Sequence, residues 1–119
     1  RRKGLNSLFP IMAHRLRSTK ITLTSTGVAQ PLVDPSSTSI GKFLVNAFNV
    51  RCDADNAADM DMGDSTVTTG NGMYIEPGGG KGSDGLSVAR GKISEWDLCK
   101  IYVVGTSGDK IRLEWVIYE

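Results

Sequence analysis

The sequence has only one histidine, His14, and only two cysteines, Cys52 and Cys99, among its 119 residues. Mechanisms of the Ser-His-Asp or Cys-His type need a histidine beside an activated nucleophile, and common zinc sites need several cysteine or histidine ligands. His14 lies in a basic stretch, and no serine or cysteine stands in a recognisable nucleophile motif. We therefore expect no catalytic residue, no metal site and no cofactor, and we do not expect an enzyme.

Long hydrophobic runs are also missing. No apolar run approaches the roughly 18 residues that a membrane-spanning helix requires, and residues 1–11 have neither the apolar centre nor the cleavage site of a secretory signal. The chain is long enough for one hydrophobic core but not for two. We expect a single soluble domain without a membrane contact, in which Cys52 and Cys99 are free thiols on two strands.

Short β-branched and aromatic runs, separated by glycine, proline, asparagine and aspartate, make up most of the chain. This pattern predicts an all-β fold, a single antiparallel β-sandwich. The longest run, residues 40–52, predicts a central strand that is covered on both faces. The other predicted strands are residues 20–26, 28–32, a short strand with Met60 and Met62, and residues 65–69, 73–76 and 86–93.

The C-terminal segment predicts a β-hairpin. Residues 100–104 and 110–118 are apolar, β-branched and aromatic, and the sequence Gly-Thr-Ser-Gly-Asp at 105–109 suits a short loop. In the second arm every other residue from Ile111 to Ile117 is apolar, which is the period-2 pattern of a strand over a core. We expect the core to include Phe43, Val103, Ile111, Leu113 and Trp115.

Two loops have a superficial likeness to ligand-binding motifs. In the acidic residues 53–64, DADNAADMDMGD, the glycines and aspartates do not stand where an EF-hand needs them. Residues 78–85, GGGKGSDG, lack the leading glycine and the Ser or Thr after the lysine of a Walker A loop. We expect residues 53–64 to be a solvated acidic loop that binds no calcium tightly, with a looser cation site as the less favoured alternative. We expect residues 78–85 to be a flexible hairpin loop.

Residues 1–18 combine basic and apolar side chains without any acid, and Pro10 interrupts a helical pattern. We interpret them as an extended basic arm in front of a sandwich domain at residues 19–119. Apolar clusters and unopposed positive charge suit an acidic partner, so the arm is predicted to clamp a neighbouring subunit. Its deletion is expected to leave the melting temperature nearly unchanged. The predicted contact residues are Arg1, Arg2, Lys3, Leu5, Leu8, Phe9, Ile11, Arg15 and Arg17.

Several motifs occur in an order that is found in a known group of proteins. They are ITLTSTGVAQPL at 21–32, GKFLVNAFNV at 41–50, an N-x-x-x-M-x-M-G segment at 56–63, STVTTGNGMYIEPG at 65–78 and DLCKIYVVGTSGDKIRLEW at 97–115. This pattern resembles that of the small β-sandwich structural proteins in the virions of tailed bacteriophages. The arm and the glycine-rich loop exceed the compact form of that group, and both look like additions that contact neighbours.

The resemblance implies a jelly-roll-like sandwich and a role as a capsid decoration (cement) protein on the virion surface, made in the host cytoplasm. It implies the major capsid protein and further copies of the chain, as a dimer or trimer, as partners. It implies no small-molecule substrate and no specific nucleic acid. The alternatives are a neck or tail structural protein and a carbohydrate-binding module that stacks glycans on Trp96, Tyr74 or Tyr102. For Trp96 a core position is the competing interpretation.

Overall fold

The computed structural model describes residues 14–83 and 95–118, and these residues form an all-β structure with two short 3₁₀ turns, Pro35–Ser37 and Leu98–Lys100. The predicted all-β class is confirmed. The strands are β1 (His14–Thr22), β2 (Gln30–Pro31), β3 (Leu44–Val45), β4 (Ala47–Cys52), β5 (Met60–Gly63), β6 (Met73–Ile75), β7 (Gly80–Gly82), β8 (Trp96–Asp97), β9 (Tyr102–Val104) and β10 (Lys110–Tyr118).

The strands form two four-stranded antiparallel sheets and one short ribbon. Sheet A has the order β1-β10-β4-β7, sheet B has the order β2-β9-β5-β6, and β3 pairs with β8. Both large sheets contribute to one apolar core, in which Val50, Ile111 and Leu113 of sheet A lie with Met60 and Val103 of sheet B. A core between two sheets is the expected consequence of period-2 strands that each bury one face.

The predicted core residues are confirmed. Ile111, Leu113 and Val103 have 0% of their surface exposed. Phe43 and Trp115 are partly buried against the same cluster. Their ring centroids are 5.3 Å apart with an interplanar angle of 88°, the edge-to-face geometry that aromatic pairs favour.

The predicted C-terminal hairpin is wrong, because its two arms belong to different sheets. β9 pairs with β2 and β5, whereas β10 pairs with β1 and β4. The connection between them is bonded to the chain after β1: the Leu23 N–H donates to the Asp109 carbonyl and the Gly108 N–H donates to the Leu23 carbonyl, both at 2.9 Å. The segment therefore crosses from one sheet to the other.

The predicted central strand at residues 40–52 is interrupted at Asn46. Val45 and Phe48 are both buried although they lie three residues apart, so the alternation of faces changes phase between β3 and β4. The Asn46 N–H donates to the Val116 carbonyl at 3.0 Å, where the chain leaves the ribbon and joins sheet A. The expected cover on both faces is also wrong, because Leu44 and Arg51 are exposed.

Two further assignments need correction. Residues 65–69 form a turn, because the carboxylate of Asp64 accepts the Thr66 N–H at 2.8 Å and the Asp64 carbonyl accepts the Val67 N–H at 3.0 Å. The glycine-rich segment is not all loop, since Gly80–Gly82 forms β7 against β4. A Cβ at Gly82 would lie 2.7 Å from the Phe48 carbonyl oxygen, so close strand contact requires glycine there.

The N-terminal strand begins earlier, and β2 is shorter, than the sequence indicates. Residues 14–18, which the sequence assigns to the arm, form the first half of β1 and pair with residues 114–118 of β10. Residues 1–13 of the predicted arm, and the predicted strand at 86–93, lie outside the described residues. A deletion through Ser18 would remove half of a paired strand, so a truncation that spares the sheets must end at residue 13.

Both cysteines are free thiols and buried, as expected, although Cys99 lies in a 3₁₀ turn and not on a strand. Burial raises the pKa of Cys52 to about 11, and the nearby carboxylates of Asp109, Asp53 and Asp59 add to this effect. Burial also raises the pKa of Cys99. Both thiols are therefore protonated at neutral pH, which makes them poor nucleophiles.

Replacing Leu113 by alanine is expected to lower the free energy of unfolding by about 2–5 kcal/mol, because it leaves a cavity between the two sheets. Urea unfolding measures this change. Thr19→Ala is the matched control, since Thr19 pairs with Leu113 but is exposed. A loss below about 1 kcal/mol for Leu113→Ala would contradict the assignment of this face to the core.

The native protein is expected to react slowly with a thiol reagent at pH 8, and both thiols are expected to react at once in denaturant. With a pKa of about 11, only about one Cys52 thiol in a thousand is ionised at that pH. Absorbance after addition of an aromatic disulfide reagent measures both rates. Stoichiometric reaction of the native protein within seconds would contradict the burial of the thiols.

Candidate interaction surface

The outer face of sheet A carries the alternate residues of β1, β10 and β4 that point away from the core. Because paired residues of antiparallel strands point to the same face, these side chains form three cross-strand rows. The rows are an apolar row of Leu16, Val116 and Ala47, a polar row of Ser18, Glu114 and Asn49, and a basic row of Lys20, Arg112 and Arg51.

The apolar row lies at the end of sheet A where β1 begins. The side chain of Leu16 is 71% exposed. It forms one wall of a hollow of about 220 Å³, whose other walls include Val116, Ala47 and the edge of Trp115. Glu114 adds one carboxylate to the lining. This arrangement can accept an apolar side chain from outside, with a cation beside it.

The basic row places three cations in directly opposed positions on three neighbouring strands. Like charges that face each other across strands destabilise a sheet. Asp53 partly neutralises the row, because its carboxylate lies 3.4 Å from the Lys20 Nζ and 3.1 Å from the Arg112 Nε. Arg51 has no ion pair within the described residues. A second hollow, of about 520 Å³, has Arg51, Arg112, Asp53 and Asp55 in its walls.

The acidic residues 53–64 have structural roles that the sequence did not reveal. Asp61 is only 8% exposed, and its two carboxylate oxygens accept the N–H groups of Gly70 (2.9 Å) and Gly72 (3.3 Å). Asp53 is held in ion pairs, and Asp64 closes a turn. Asp55 and Asp59 remain exposed. Asp53, Asp61 and Asp64 thus hold loops in place, a role that the prediction of a solvated acidic loop did not include.

Two more aspartates hold the chain before and after β9. Asp109, which is buried, accepts the N–H groups of Ala57 (2.9 Å) and Ala58 (3.2 Å). Asp97 accepts the N–H groups of Phe43 (3.1 Å) and Cys99 (3.0 Å). Burial alone would raise the pKa of Asp97, but these two bonds, together with the charge of Lys100 and the Cys99 side chain, outweigh it and leave the pKa below its usual value. For Asp97 the signal in the sequence is an aspartate just before a 3₁₀ segment.

The predicted arm residues are described only in part. Arg17 is exposed on β1 and pairs with Trp115, and the backbone of Arg15 pairs with that of Ile117. The other predicted contact residues lie outside the described part of the chain. The structure therefore brings the end of the arm to the start of β1, two residues before the exposed Leu16.

The three aromatic residues proposed for glycan stacking do not form one platform. Trp96 packs edge-to-face on Phe48 with ring centroids 5.5 Å apart, and its buried indole N–H has no acceptor among the described residues. Tyr74 and Tyr102 lie on the outer face of sheet B, two strand positions apart in the pairing with β5. A hydrogen bond to Asp59 raises the pKa of Tyr74. Trp96 thus belongs to the packing around sheet A.

The residues at 14–83 and 95–118 contain no group of three or more His, Cys, Asp or Glu side chains that could hold a metal ion. In the same residues no helix is long and apolar enough to cross a membrane.

Thermal unfolding in excess EDTA and in millimolar calcium is expected to give superimposable curves. The carboxylates of Asp53 and Asp61 already bind cationic side chains or backbone N–H groups, and the described residues contain no group of acidic side chains that could hold a metal ion. Magnesium at equal ionic strength is the control for screening of the Asp53 ion pairs. A calcium-specific rise of several degrees would contradict this expectation, since a ligand that binds only the folded state must stabilise it.

No protein-family model and no curated protein matches the chain. The three rows on the outer face of sheet A are therefore the feature on which a functional proposal can be built.

Proposed function

We propose that the protein is a structural component of a tailed-phage virion, a jelly-roll-like capsid decoration (cement) protein that binds and stabilises the major capsid shell as a homo-oligomer. The observation that carries the proposal is the apolar row of sheet A, in which the exposed Leu16 lies beside the point where the N-terminal segment enters β1. The motifs shared in order with virion sandwich proteins support the same function.

The apolar row has the character of a docking surface. A sheet of a monomeric protein normally presents polar side chains to water, and a contiguous apolar group with a hollow beside it marks a site of association. Leu16, Val116 and Ala47 form such a group across three strands. A protein shell offers the flat, extended partner that a sheet face can cover.

The N-terminal segment adds the second half of the proposed contact. Residues 1–13 contain apolar Leu5, Leu8, Phe9 and Ile11 together with Arg1, Arg2 and Lys3, and no acid. They precede β1 directly, so a partner seated on the apolar row lies within their reach, which is at most about 45 Å for thirteen extended residues. We therefore assign attachment to residues 1–13 and the apolar row together.

The two alternative functions receive less support. A carbohydrate-binding module would need aromatic rings on one accessible platform, whereas Trp96 packs on Phe48 and is separate from Tyr74 and Tyr102. A neck or tail protein would use the same kind of surface and would differ in copy number. Mass measurement of purified particles separates a neck or tail protein from a decoration protein, since a decoration protein occurs in hundreds of copies.

Removing residues 1–13, or replacing Leu16 by glutamate, is expected to weaken binding to particles that lack the protein at least tenfold. A hot-spot residue near the centre of an interface contributes about 2 kcal/mol or more, and a buried carboxylate would add a desolvation cost. Co-sedimentation with such particles measures binding, and circular dichroism checks that both variants remain folded.

Thr19→Glu is the matched control, because Thr19 is exposed on the opposite face of the same strand. It is expected to bind like the unmodified protein. Saturation of particles by the truncated protein and by Leu16→Glu with unchanged affinity would overturn the proposal.

A further inference from the structure

We infer that the basic row and the adjoining turn at residues 53–56 form a self-complementary contact between two copies of this chain, in which Arg51 of each copy faces Asp55 of the other. The inference rests on the homo-oligomer of the proposed function and specifies one of its contacts. It uses a part of sheet A that is separate from the apolar row.

The first step is the charge that the basic row leaves unbalanced. Lys20, Arg112 and Arg51 are direct cross-strand neighbours, and Asp53 reaches only the first two. Three cations in one row do not stabilise a sheet, because they repel one another. The row is explained if an anionic group outside the chain faces Arg51.

The second step is the position of Asp55. It is exposed, lines the same 520 Å³ hollow as Arg51, and makes no ion pair within the described residues. The turn that presents it is fixed: the Asn56 N–H donates to the Asp53 carbonyl, and the Asn56 side chain exchanges two bonds of 2.8 and 2.9 Å with the backbone of Lys110. Asp55 is therefore preorganised, which lowers the entropic cost of a contact.

The third step identifies the partner from the arrangement of the charges. A patch with a cation on one side and a carboxylate on the other is complementary to itself, because a two-fold rotation lays each sign on the opposite sign. A polyanion such as a nucleic acid would meet Asp53 and Asp55 at the same hollow and would be repelled. The mixed patch thus favours a second copy of the chain over a phosphate-bearing ligand.

Charge exchange tests this contact on the purified full-length protein, without particles. Arg51→Glu and Asp55→Arg are each expected to weaken self-association at least tenfold, about 1.4 kcal/mol, because every substitution occurs twice in a two-fold dimer. The double variant Arg51→Glu/Asp55→Arg is expected to recover most of the affinity. Sedimentation equilibrium at 50 mM salt measures association, and raising the salt is expected to weaken the unmodified dimer.

Lys42→Glu is the control for the change in net charge, since Lys42 is exposed and does not line this hollow. It is expected to associate like the unmodified protein. Three results would overturn the inference. The first is an unmodified protein that stays monomeric at 100 µM, on the order of the dissociation constants of weak interfaces. The others are single charge-reversal variants that associate like the unmodified protein, and a double variant that associates as weakly as the single variants. Heparin binding that is lost with Arg51→Glu alone, while self-association is unchanged, would assign the row to a polyanion instead.

The result is independent of capsid attachment, because no particle is present. If charge exchange behaves as expected but Leu16→Glu still saturates particles, the proposed attachment fails and the self-contact stands. If Leu16→Glu loses particle binding while charge exchange has no effect on self-association, the attachment stands and the self-contact fails.

Discussion

The pairing of β10 on both of its edges is the constraint on which the rest of the structure depends. β1 and β4 are both hydrogen-bonded to this one strand, so its register fixes which residues of sheet A face the core and which face outward. Ile111 and Leu113 fill the core, and Arg112, Glu114 and Val116 form the middle of the three outer rows. A slip by one residue would exchange the two sets. The outer surface is therefore as strictly determined as the core.

Aspartate carboxylates hold several loops of the described residues in place by accepting hydrogen bonds from backbone N–H groups. Asp61 and Asp109 each accept two backbone N–H groups while buried, and Asp97 accepts two across the ribbon and the 3₁₀ turn. Hydrogen bonds to an ionised acceptor are stronger than those between neutral groups, so a single side chain can fix a loop end. Among the aspartates of residues 53–64, Asp53, Asp61 and Asp64 thus anchor loops, and Asp59 accepts a hydrogen bond from the Tyr74 hydroxyl. Within the described residues, Asp55 is left for contacts outside the chain.

Local patterns in the sequence predicted the faces of strands but not their neighbours. The alternation from Ile111 to Ile117 correctly gave the buried face of β10, because burial in a strand depends on the period of two within that strand. The same pattern could not show that residues 102–104 belong to the other sheet, since pairing is decided by contacts far apart in sequence. The change of phase at Asn46 was missed for this reason.

The candidate surface was less accessible to sequence analysis than the core. The arm was predicted from its composition, yet its boundary was placed inside β1, because Arg15 and Arg17 look like arm residues until their pairing with β10 is known. The glycines of β7 look like a loop, because the close approach of Gly82 to the Phe48 carbonyl has no signature in the chain. The basic row exists only once three distant segments lie in register. The three residues of the basic row belong to no local sequence motif that would have indicated it.

The size of sheet A limits what each proposed contact can do alone. β1 and β10 have nine residues each, β4 has six and β7 has three. At about 3.4 Å per residue and about 4.8 Å between strands, they give a face of roughly 440 Å². A stable interface needs about 800 Å² from each partner. Attachment through the apolar row therefore requires the additional surface of residues 1–13, and self-association through the basic row requires the turn at 53–56 beyond the sheet edge. The two rows are separated by the polar row, about 13 Å from one to the other, so the two proposed contacts do not overlap. Two weak contacts held together on one rigid sheet then strengthen each other, because the second forms at high effective concentration once the first is made.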